Sequence, residues 1–424
     1  MPTWLVKGNI IMEIRLDNGP LEGRHYETGT LRNAWSLRGA KAPHTGQPYS
    51  EALLLGISGG ITFGYFTFAY TGELPHLALL TRNTFDPFET ILERLAPVRE
   101  VRQTATAATA ERQLNAALET GYTPVIWADT FSLPYYGLSP NASMWLMRPV
   151  VVVGREADTY WLADGSRQPW AVSAADLTRA RGRVKKDRFR LMTLEPPNPD
   201  RLPTAVKTGL QQCVSLFTET PPKGAKDNFG FAAYAKWAQL LNGTKHKQSW
   251  ARLFPRGPAL FQALGGSLRH PGLLGWVMTW TTAEDADRRL FADFLDEAAL
   301  ILGRPGLRAT GDQFRTAGDQ FRAAAGLWHA LALAALPESV PLLREARELH
   351  LRRRALFVEG GEAVAEERAG IRARLEALRQ EIEKEFPLTA TEVATLQSRL
   401  SELVLEICQI ERRAVETLQA EGLK

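Results

Sequence analysis

The sequence predicts an α+β domain followed by an all-α domain that ends in a helical hairpin or coiled coil. Residues 1–195 mix helical spacing with short apolar strands, whereas the chain from about residue 204 onward repeats its apolar residues as helices do. Between them, the segment "EPPNPDRLP" at 195–203 has four prolines in nine residues and continues neither helix nor sheet. We therefore expect domains over 1–195 and 204–358 and a helical arm over 359–424.

Composition and charge narrow the class of protein. The 424 residues are 45% hydrophobic and 23% charged, which is typical of a globular chain with two or three domains. A formal net charge of +4 and a pI near 9.0 do not by themselves indicate nucleic acid or membrane binding. The two cysteines, Cys213 and Cys408, lie in helical segments far apart, which argues against a disulfide framework and a cysteine-rich zinc site. The first residues lack a signal-peptide pattern, and we expect a cytoplasmic protein without a membrane segment.

The elements of the first domain follow from local patterns. Leu31 and Trp35 lie four residues apart, which places them on one face of a short opening helix. A buried helix at 52–54, a glycine turn and an aromatic strand over 61–70 come next. The remaining predicted elements are a helix over 109–120, a strand at 125–127, a buried strand over 149–154 and a strand over 158–164 that completes a hairpin.

The second half is helical throughout. Asp227 is expected to cap the helix that contains Trp237, and "GDQFR" at 311–315 recurs at 318–322 as a small duplication. Apolar residues after 359 recur three and four apart, with a break at Pro387 and a capping box formed by Thr389 and Glu392. A hairpin that closes on itself is favoured over pairing between chains, because a short break favours antiparallel neighbours.

A glycine-rich segment resembles two catalytic motifs, but its context supports neither. "GISGG" at 56–60 fits the serine elbow pattern, but that elbow needs a strand before the turn and a helix after it, and the order here is reversed. The glycines also lack the lysine of a phosphate loop. We therefore interpret Ser58 as part of a glycine turn.

The segment "TRARGRVKKDRFR" at 178–190 has seven basic residues in thirteen. Arg179, Arg181 and Arg183 alternate as on one face of a strand, and this face is interpreted as solvated, since no aromatic residues are interleaved for base stacking. Nucleic acid is therefore not the expected partner. The seven histidines, including His25, show no metal-ligand spacing, so neither a metal nor a cofactor is predicted.

Several motifs in fixed order resemble a known family. "HYETGTLRN", "SEALLLGISGGITFGYF", "ADTFSLPYY" and "RPVVVVGREADTYWLADGS" are similar to motifs of the butirosin biosynthesis protein H family. "DNFGFAAYAKWA" and "RRLFADFLDEAA" are similar to the helical domain of unknown function that accompanies it. The resemblance covers about residues 10–340.

This resemblance implies a papain-like fold that moves an acyl group from a carrier-protein thioester to an amine, through a cysteine with a histidine base. In this chain Tyr26 occupies the cysteine position, Arg148 the histidine position and Asp164 the third catalytic position. Candidate substrate contacts in or beside the matching motifs are His25, Glu27, Thr28, Gly59, Gly60, Phe63, Asp129 and Tyr135.

The two substitutions predict a protein whose catalysis is lost or impaired. An arginine stays protonated and cannot serve as a base, and a phenol is a weak nucleophile near neutral pH. We expect Tyr26 to fill the former thiol pocket and to stack or hydrogen-bond with Arg148, whose charge Asp164 would satisfy. The protein would then bind an acyl carrier protein or another subunit, with residues 359–424 available for homo-oligomer formation.

Two other functions remain open at the level of sequence. The first is an active acyltransferase, or an amide or thioester hydrolase, that uses a shifted nucleophile such as Thr28 or Thr30. A water held by Asp129, Asp164 and Arg148 would serve the same reaction. The second is a nucleic-acid or carrier-protein binder that uses residues 179–190, whose binding would depend steeply on salt.

Overall fold

The computed structural model describes residues 21–138, 144–219, 225–303 and 308–420, except for the side chains of 308–311. An N-terminal α+β region is followed by a helical region, as the sequence predicts. The elements of the first region are α1 (Thr28–Leu37), α2 (Glu51–Ile57), β1 (Ile61–Phe68), β2 (His76–Arg82), α3 (Pro87–Leu95), β3 (Arg99–Arg102), α4 (Ala107–Glu119), β4 (Val125–Asp129), β5 (Met147–Glu156), β6 (Thr159–Ala163), β7 (Trp170–Ser173), α5 (Ala174–Gly182) and β8 (Leu191–Leu194).

The helices of the second region begin after the proline-rich segment. They are α6 (Leu202–Thr218), α7 (Gly230–Asn242), α8 (Trp250–Leu253), α9 (Pro258–Leu264), α10 (Gly272–Leu274), α11 (Arg288–Leu302), α12 (Arg308–Ala335), α13 (Pro341–Glu359), α14 (Ala365–Lys384) and α15 (Ala390–Ala420). No helix of the described residues combines the length and the apolar character needed to cross a membrane.

The chain divides into two compact units that do not follow the contiguous ranges expected from sequence. The first, which we call the sheet unit, contains Met1–Ser50, Ala96–Asn198 and Leu356–Glu367. The second, the helical unit, contains Glu51–Leu95, Pro199–Ala355 and Arg368–Lys424. The segment from α2 to α3 therefore groups with the helices, because α2 is buried along its whole length and packs against α6 and α11.

The sheet unit is built on an antiparallel sheet in which six described strands follow the order β3-β8-β4-β5-β6-β7. Strand β5 lies between β4 and β6, and Val150 to Val153 are no more than 1% exposed. This burial explains the unbroken run of valines, since a central strand covered on both faces needs apolar residues on both. Helices α4 and α5 cover the sheet through Leu114, Leu118 and Leu177.

One expectation for this unit is wrong. Arg179 and Arg181 lie on helix α5 and not on a strand, since Ser173 caps that helix by accepting a hydrogen bond from the amide of Asp176. Three arginines at alternate positions are too short a pattern to distinguish a strand from a helix.

The helical unit packs α15 against α12 and α7, and α11 against α12 and α2. The hairpin expected over 359–424 is thus not observed as a self-contained arm, because α15 is buried among helices from earlier in the chain. The capping box at the start of α15 is confirmed: Thr389 and Glu392 exchange hydrogen bonds of 2.7 and 3.3 Å between their backbone amides and side chains. Asp227 does not cap α7; Phe229 occupies that position, and Asp227 instead pairs with Lys236 at 2.9 Å.

Candidate functional site

A tight loop before α1 positions Tyr26 in the sheet unit. The amide of Gly29 donates to the carbonyl of His25 at 2.8 Å, and the amide of Gly23 donates to Oδ1 of Asn33 at 2.9 Å. A Cβ on Gly29 would lie 2.5 Å from the backbone nitrogen of Arg24, so only glycine allows the loop to fold back this closely. Tyr26 is thereby held just ahead of the helix.

Strand β5 brings Arg148 to the same place. Arg148 pairs with Ala128 across the sheet, one residue before Pro149. The hydroxyl of Thr30 donates to the carbonyls of both Tyr26 and Pro149, at 2.7 and 3.1 Å, and so ties the start of α1 to β5. Thr30, one of the alternative nucleophiles, therefore has a structural role.

The guanidinium of Arg148 lies over the ring of Tyr26, 4.3 Å from its centroid. Both side chains are only partly exposed, and the ring of His25 lies 4.2 Å from that of Tyr26. A cation over an aromatic face is attracted by the ring quadrupole. The predicted stack of Arg148 on Tyr26 is thus present in the structure.

Asp164 accepts hydrogen bonds from two neighbouring phenols. It directly follows β6, is 4% exposed, and its Oδ2 accepts from the hydroxyls of Tyr135 at 2.6 Å and Tyr136 at 2.9 Å. Arg148 in turn hydrogen-bonds Tyr136. The three candidate residues therefore form one connected cluster, Tyr26 to Arg148 to Tyr136 to Asp164.

Burial determines the protonation of these phenols. It raises the pKa of both Tyr135 and Tyr136 above the usual value, and the carboxylate of Asp164 adds to the rise, while the charge of Arg148 opposes it. Both hydroxyls remain protonated near neutral pH and donate to Asp164. Asp164 thus orients two phenols, a role that its sequence motif alone does not indicate.

Aromatic rings surround this cluster. Tyr135 stacks on Trp170 with centroids 5.0 Å apart and ring planes 6° from parallel, and Phe357 lies 5.2 Å from Tyr136. Sequence reasoning missed Tyr136, Trp170 and Phe357. The double tyrosine in "LPYY" could have suggested Tyr136, whereas nothing local connects Phe357 with residues about 200 positions earlier.

Other candidate contacts in the sheet unit have structural partners. Asp129 is fully buried and accepts from the amide of Leu146 at 2.8 Å and the hydroxyl of Ser132 at 2.6 Å. Its carboxylate therefore stabilises the turn after β4 and is poorly placed to hold a reacting water. Thr28 is 1% exposed, and the amide of Glu27 donates to Nδ1 of His25 at 3.3 Å.

Gly59, Gly60 and Phe63 belong to the helical unit. Phe63 is fully buried and stacks on Tyr234 at 4.0 Å, which is a packing role. A Cβ on Gly59 would lie 2.6 Å from Oε1 of Gln212, and one on Gly60 would lie 2.6 Å from the ring of Phe291. These glycines allow close approach around the turn from α2 to β1, which confirms the helix–turn–strand order predicted for "GISGG".

The basic segment is less solvated than its composition suggests. Arg181 is 3% exposed and donates to the carbonyl of Phe189, Arg190 lies 4.0 Å over the ring of Trp127, and Arg179 pairs with Asp176 at 2.6 Å. Arg190 therefore packs on β4, and Arg181 bridges α5 and the end of the segment, whereas Arg179 is exposed and pairs within α5. Within the described ranges, no group of three His, Cys, Asp or Glu side chains is placed to hold a metal ion.

Comparison with known proteins agrees with the motifs. Residues 25–165, about a third of the chain, match the family model described as Butirosin biosynthesis protein H, N-terminal. No curated protein matched the chain. The matched range contains Tyr26, Arg148 and Asp164, and it ends two residues after β6. Residues 25–165 of this chain are thus similar to the N-terminal domain of butirosin biosynthesis protein H.

Proposed function

We propose that this protein is a non-catalytic or impaired relative of butirosin-H-type acyltransferases, and that it acts as a binding or partner protein. The observation that carries the proposal is the contact between Arg148 and Tyr26, 4.3 Å from guanidinium to ring centroid. The two residues that replace the family's cysteine and histidine engage each other, and the phenol presents its ring face to the cation.

The chemistry of acyl transfer explains the consequence. A covalent acyl intermediate needs a nucleophile that loses its proton near neutral pH and a base that returns a proton to the leaving group. Arginine stays protonated and cannot do the second task, and a free phenol has a pKa of about 10. The cluster therefore has a fixed positive charge where the reaction requires a proton shuttle.

What remains suits recognition. Tyr26 and Arg148 are partly exposed beside Tyr135 and Tyr136, so the cluster presents a cation and aromatic surfaces to a ligand. A thioester carbonyl or a carboxylate could accept from the guanidinium without reacting. The partner we propose is an acyl carrier protein or another protein subunit that presents such a group.

Acyl transfer is tested with acyl-pantetheine thioesters and a set of amines, by following release of free thiol and the mass of the intact protein. We expect the wild-type chain to release thiol at the rate of the buffer control and to gain no acyl mass. Tyr26→Phe should behave in the same way, with an unchanged melting temperature. A loss of turnover in Tyr26→Phe without loss of stability would show instead that Tyr26 is a nucleophile.

The double variant Tyr26→Cys/Arg148→His tests whether the fold still supports acyl transfer through a cysteine with a histidine base. It restores the family's residue types at both positions while Asp164 stays in place. We expect this variant to gain an acyl adduct at the new cysteine, with Tyr26→Cys alone as the control that lacks a base. Turnover by the wild type that equals or exceeds that of the double variant would contradict the proposal.

A further inference from the structure

Two histidines stack on each other beside the β1–β2 hairpin, in the helical unit. His76 is the first residue of β2 and lies opposite Phe68 of β1. The ring centroid of His270 is 4.0 Å from that of His76, with the ring planes 21° from parallel, and Phe68 stacks on His76 at 5.2 Å. Both imidazoles are half-buried. They therefore join the open end of the hairpin loop to the turn that precedes α10.

Hydrogen bonds on both sides of the stack fix the backbone that carries the two rings. Nε2 of Gln262, on α9, donates to the carbonyls of Leu74 and Pro75 at 3.1 and 3.3 Å. In the turn, the amide of Ser267 donates to the carbonyl of His270 at 2.6 Å, and the amide of His270 donates to Oγ of Ser267 at 3.1 Å. The two imidazoles are thus held next to each other by the chain segments around them.

Two exposed charged groups act on the pair with opposite signs. The carboxylate of Glu73, in the hairpin loop, favours a protonated imidazole, whereas the guanidinium of Arg269 disfavours one on His270. The ring of Tyr70 lies 6.0 Å from that of His76 and is the other titratable group beside the pair. Because water screens exposed charges, these groups offset only part of the repulsion between two imidazolium rings 4.0 Å apart.

Burial keeps both imidazoles neutral at neutral pH. It lowers the pKa of His270 to about 4, with further contributions from His76 and Arg269 and with Glu73 in opposition. Burial also lowers the pKa of His76, although Glu73 and the carbonyl of Leu74 oppose the change. If the two rings separated into water, each would take up a proton near the usual pKa of about 6.5.

We propose that the stacked pair of His76 and His270 is a pH-sensitive switch, which holds the hairpin loop against the turn before α10 at neutral pH and releases it in acid. Protonation of one ring places a cation in a half-buried stack, and protonation of both places two cations 4.0 Å apart. The released segment is the loop over 69–75, in which Tyr70 is already 57% exposed. The switch contains no residue of the candidate site and does not depend on the function proposed for that site.

Acid favours the open form because His270 binds a proton between pH 6.5 and pH 4 only when the stack is open. With a pKa of about 6.5 in the open form and about 4 in the closed form, the equilibrium constant for opening should rise about twentyfold from pH 7 to pH 5. His76 adds to this rise. The stabilising effect of the stack is thus fully present above pH 6.5 and is lost as the pH falls towards 4.

Hydrogen–deuterium exchange of the full-length protein, corrected for the intrinsic exchange rate, measures this opening at pH 7 and pH 5. The protected amides of residues 66–78 and 266–275 should exchange about twentyfold faster at pH 5, and those of α15, which report global unfolding, should change by a smaller factor. The double variant His76→Phe/His270→Phe keeps two stacked rings without a titratable group, and its increase should be below about threefold. His246→Gln, at an exposed position, is the control and should respond as the wild type does.

The titration of His270 by nuclear magnetic resonance is a second readout, with the signal assigned by its absence from His270→Phe. Its midpoint should lie below about pH 5.5 in the wild type and should rise in His76→Phe, which removes the neighbouring imidazole but keeps a ring in its place.

Three results would overturn the proposal: a midpoint at or above 6.5 in the wild type, an equal pH response of exchange in the wild type and the double variant, or exchange of residues 66–78 that rises only in step with that of α15. If the double variant does not fold, His270→Phe alone decides the question. Its increase in exchange should then be at least about threefold smaller than that of the wild type.

Discussion

Each of the two compact units contains an arginine surrounded by tyrosine, tryptophan or carboxylate groups, and the two arginines serve different ends. Arg288 in the helical unit is completely buried and donates to Glu411 at 2.7 Å and to the carbonyls of Thr81 and Thr62 at 2.8 and 2.9 Å. Arg148 in the sheet unit is partly exposed and lies over the ring of Tyr26. The same residue types therefore form a buried structural network in one unit and a partly exposed cluster in the other.

The difference lies in how completely the charges are satisfied. Glu411 accepts from Arg288, from Nε1 of Trp328 at 2.8 Å and from the hydroxyl of Tyr234 at 2.7 Å. Burial disfavours the charge on Arg288, but Glu411 and Tyr234 outweigh it and raise the pKa of Arg288 above its usual value. A network this complete leaves no group to bind a ligand, whereas Arg148 and Tyr26 retain exposed surface.

The largest effect is expected from Glu411→Gln. This change leaves the charge of Arg288 buried without a counter-ion, and we expect the free energy of unfolding to fall by about 3–5 kcal/mol. Chemical denaturation monitored by circular dichroism measures this. Glu416→Gln, at an exposed position on the same helix, is the control and should change the value by less than about 0.5 kcal/mol. A loss below about 1 kcal/mol in Glu411→Gln would mean that the network of Arg288 and Glu411 contributes little to the stability of the helical unit.

A second prediction concerns acid stability of the helical unit through His350. Because burial, and then Arg353, lower its pKa in the folded protein to about 3 from a usual 6.5, the unfolded chain binds a proton that the folded chain does not. The contribution of His350 to the free energy of unfolding is therefore fully present above pH 6.5. It should fall by about 2 kcal/mol as the pH decreases to 5.

His350→Gln should remove that part of the pH dependence. His246→Gln, at an exposed position, is the matched control and should leave the pH dependence as in the wild type. Denaturant titrations at pH 7, 6 and 5 give the comparison. Parallel curves for the wild type and His350→Gln would refute the prediction.

The sequence predicts those parts of both units that depend on local patterns. The valine run of β5 and the capping box at Thr389 are confirmed, because burial on two faces and a free helix end each require particular residues at neighbouring positions. The partner of a buried face is a different matter. Heptad spacing shows that α15 has a buried side, but α14, α12 and α7 all present apolar faces that could meet it.

In the candidate site too, features that depend on local motifs can be predicted from the sequence, whereas contacts between distant residues cannot. The positions of Tyr26, Arg148 and Asp164 come from motifs in order along the chain, and the contact between Tyr26 and Arg148 was predicted from the chemistry of the two side chains. Trp170 and Phe357 were not predicted, because no local sequence pattern marks an aromatic residue that packs against a distant phenol.

A smaller loss of stability is expected from Arg148→Ala. The change removes the cation from Tyr26 and a hydrogen bond from Tyr136, while Asp164 keeps the two phenol donors, at 2.6 and 2.9 Å. We expect the free energy of unfolding to fall by about 1–2 kcal/mol, less than for Glu411→Gln because Arg148 is partly exposed. Arg148→Lys, which keeps the charge without the planar fork, should recover part of the loss. A decrease as large as that of Glu411→Gln would place Arg148 in the same structural class as Arg288.

The smallest effect isolates the contact between Tyr26 and Arg148, on which the proposed loss of catalysis depends. In a double-mutant cycle of Tyr26→Ala and Arg148→Ala, the coupling energy should be about 0.5–1 kcal/mol, the value of a cation over an exposed aromatic face. Tyr26→Phe should keep most of this coupling, since the ring face and not the hydroxyl meets the guanidinium. A coupling near zero would mean that the two side chains do not hold each other in solution, and Tyr26 would then be free to approach a substrate through its hydroxyl.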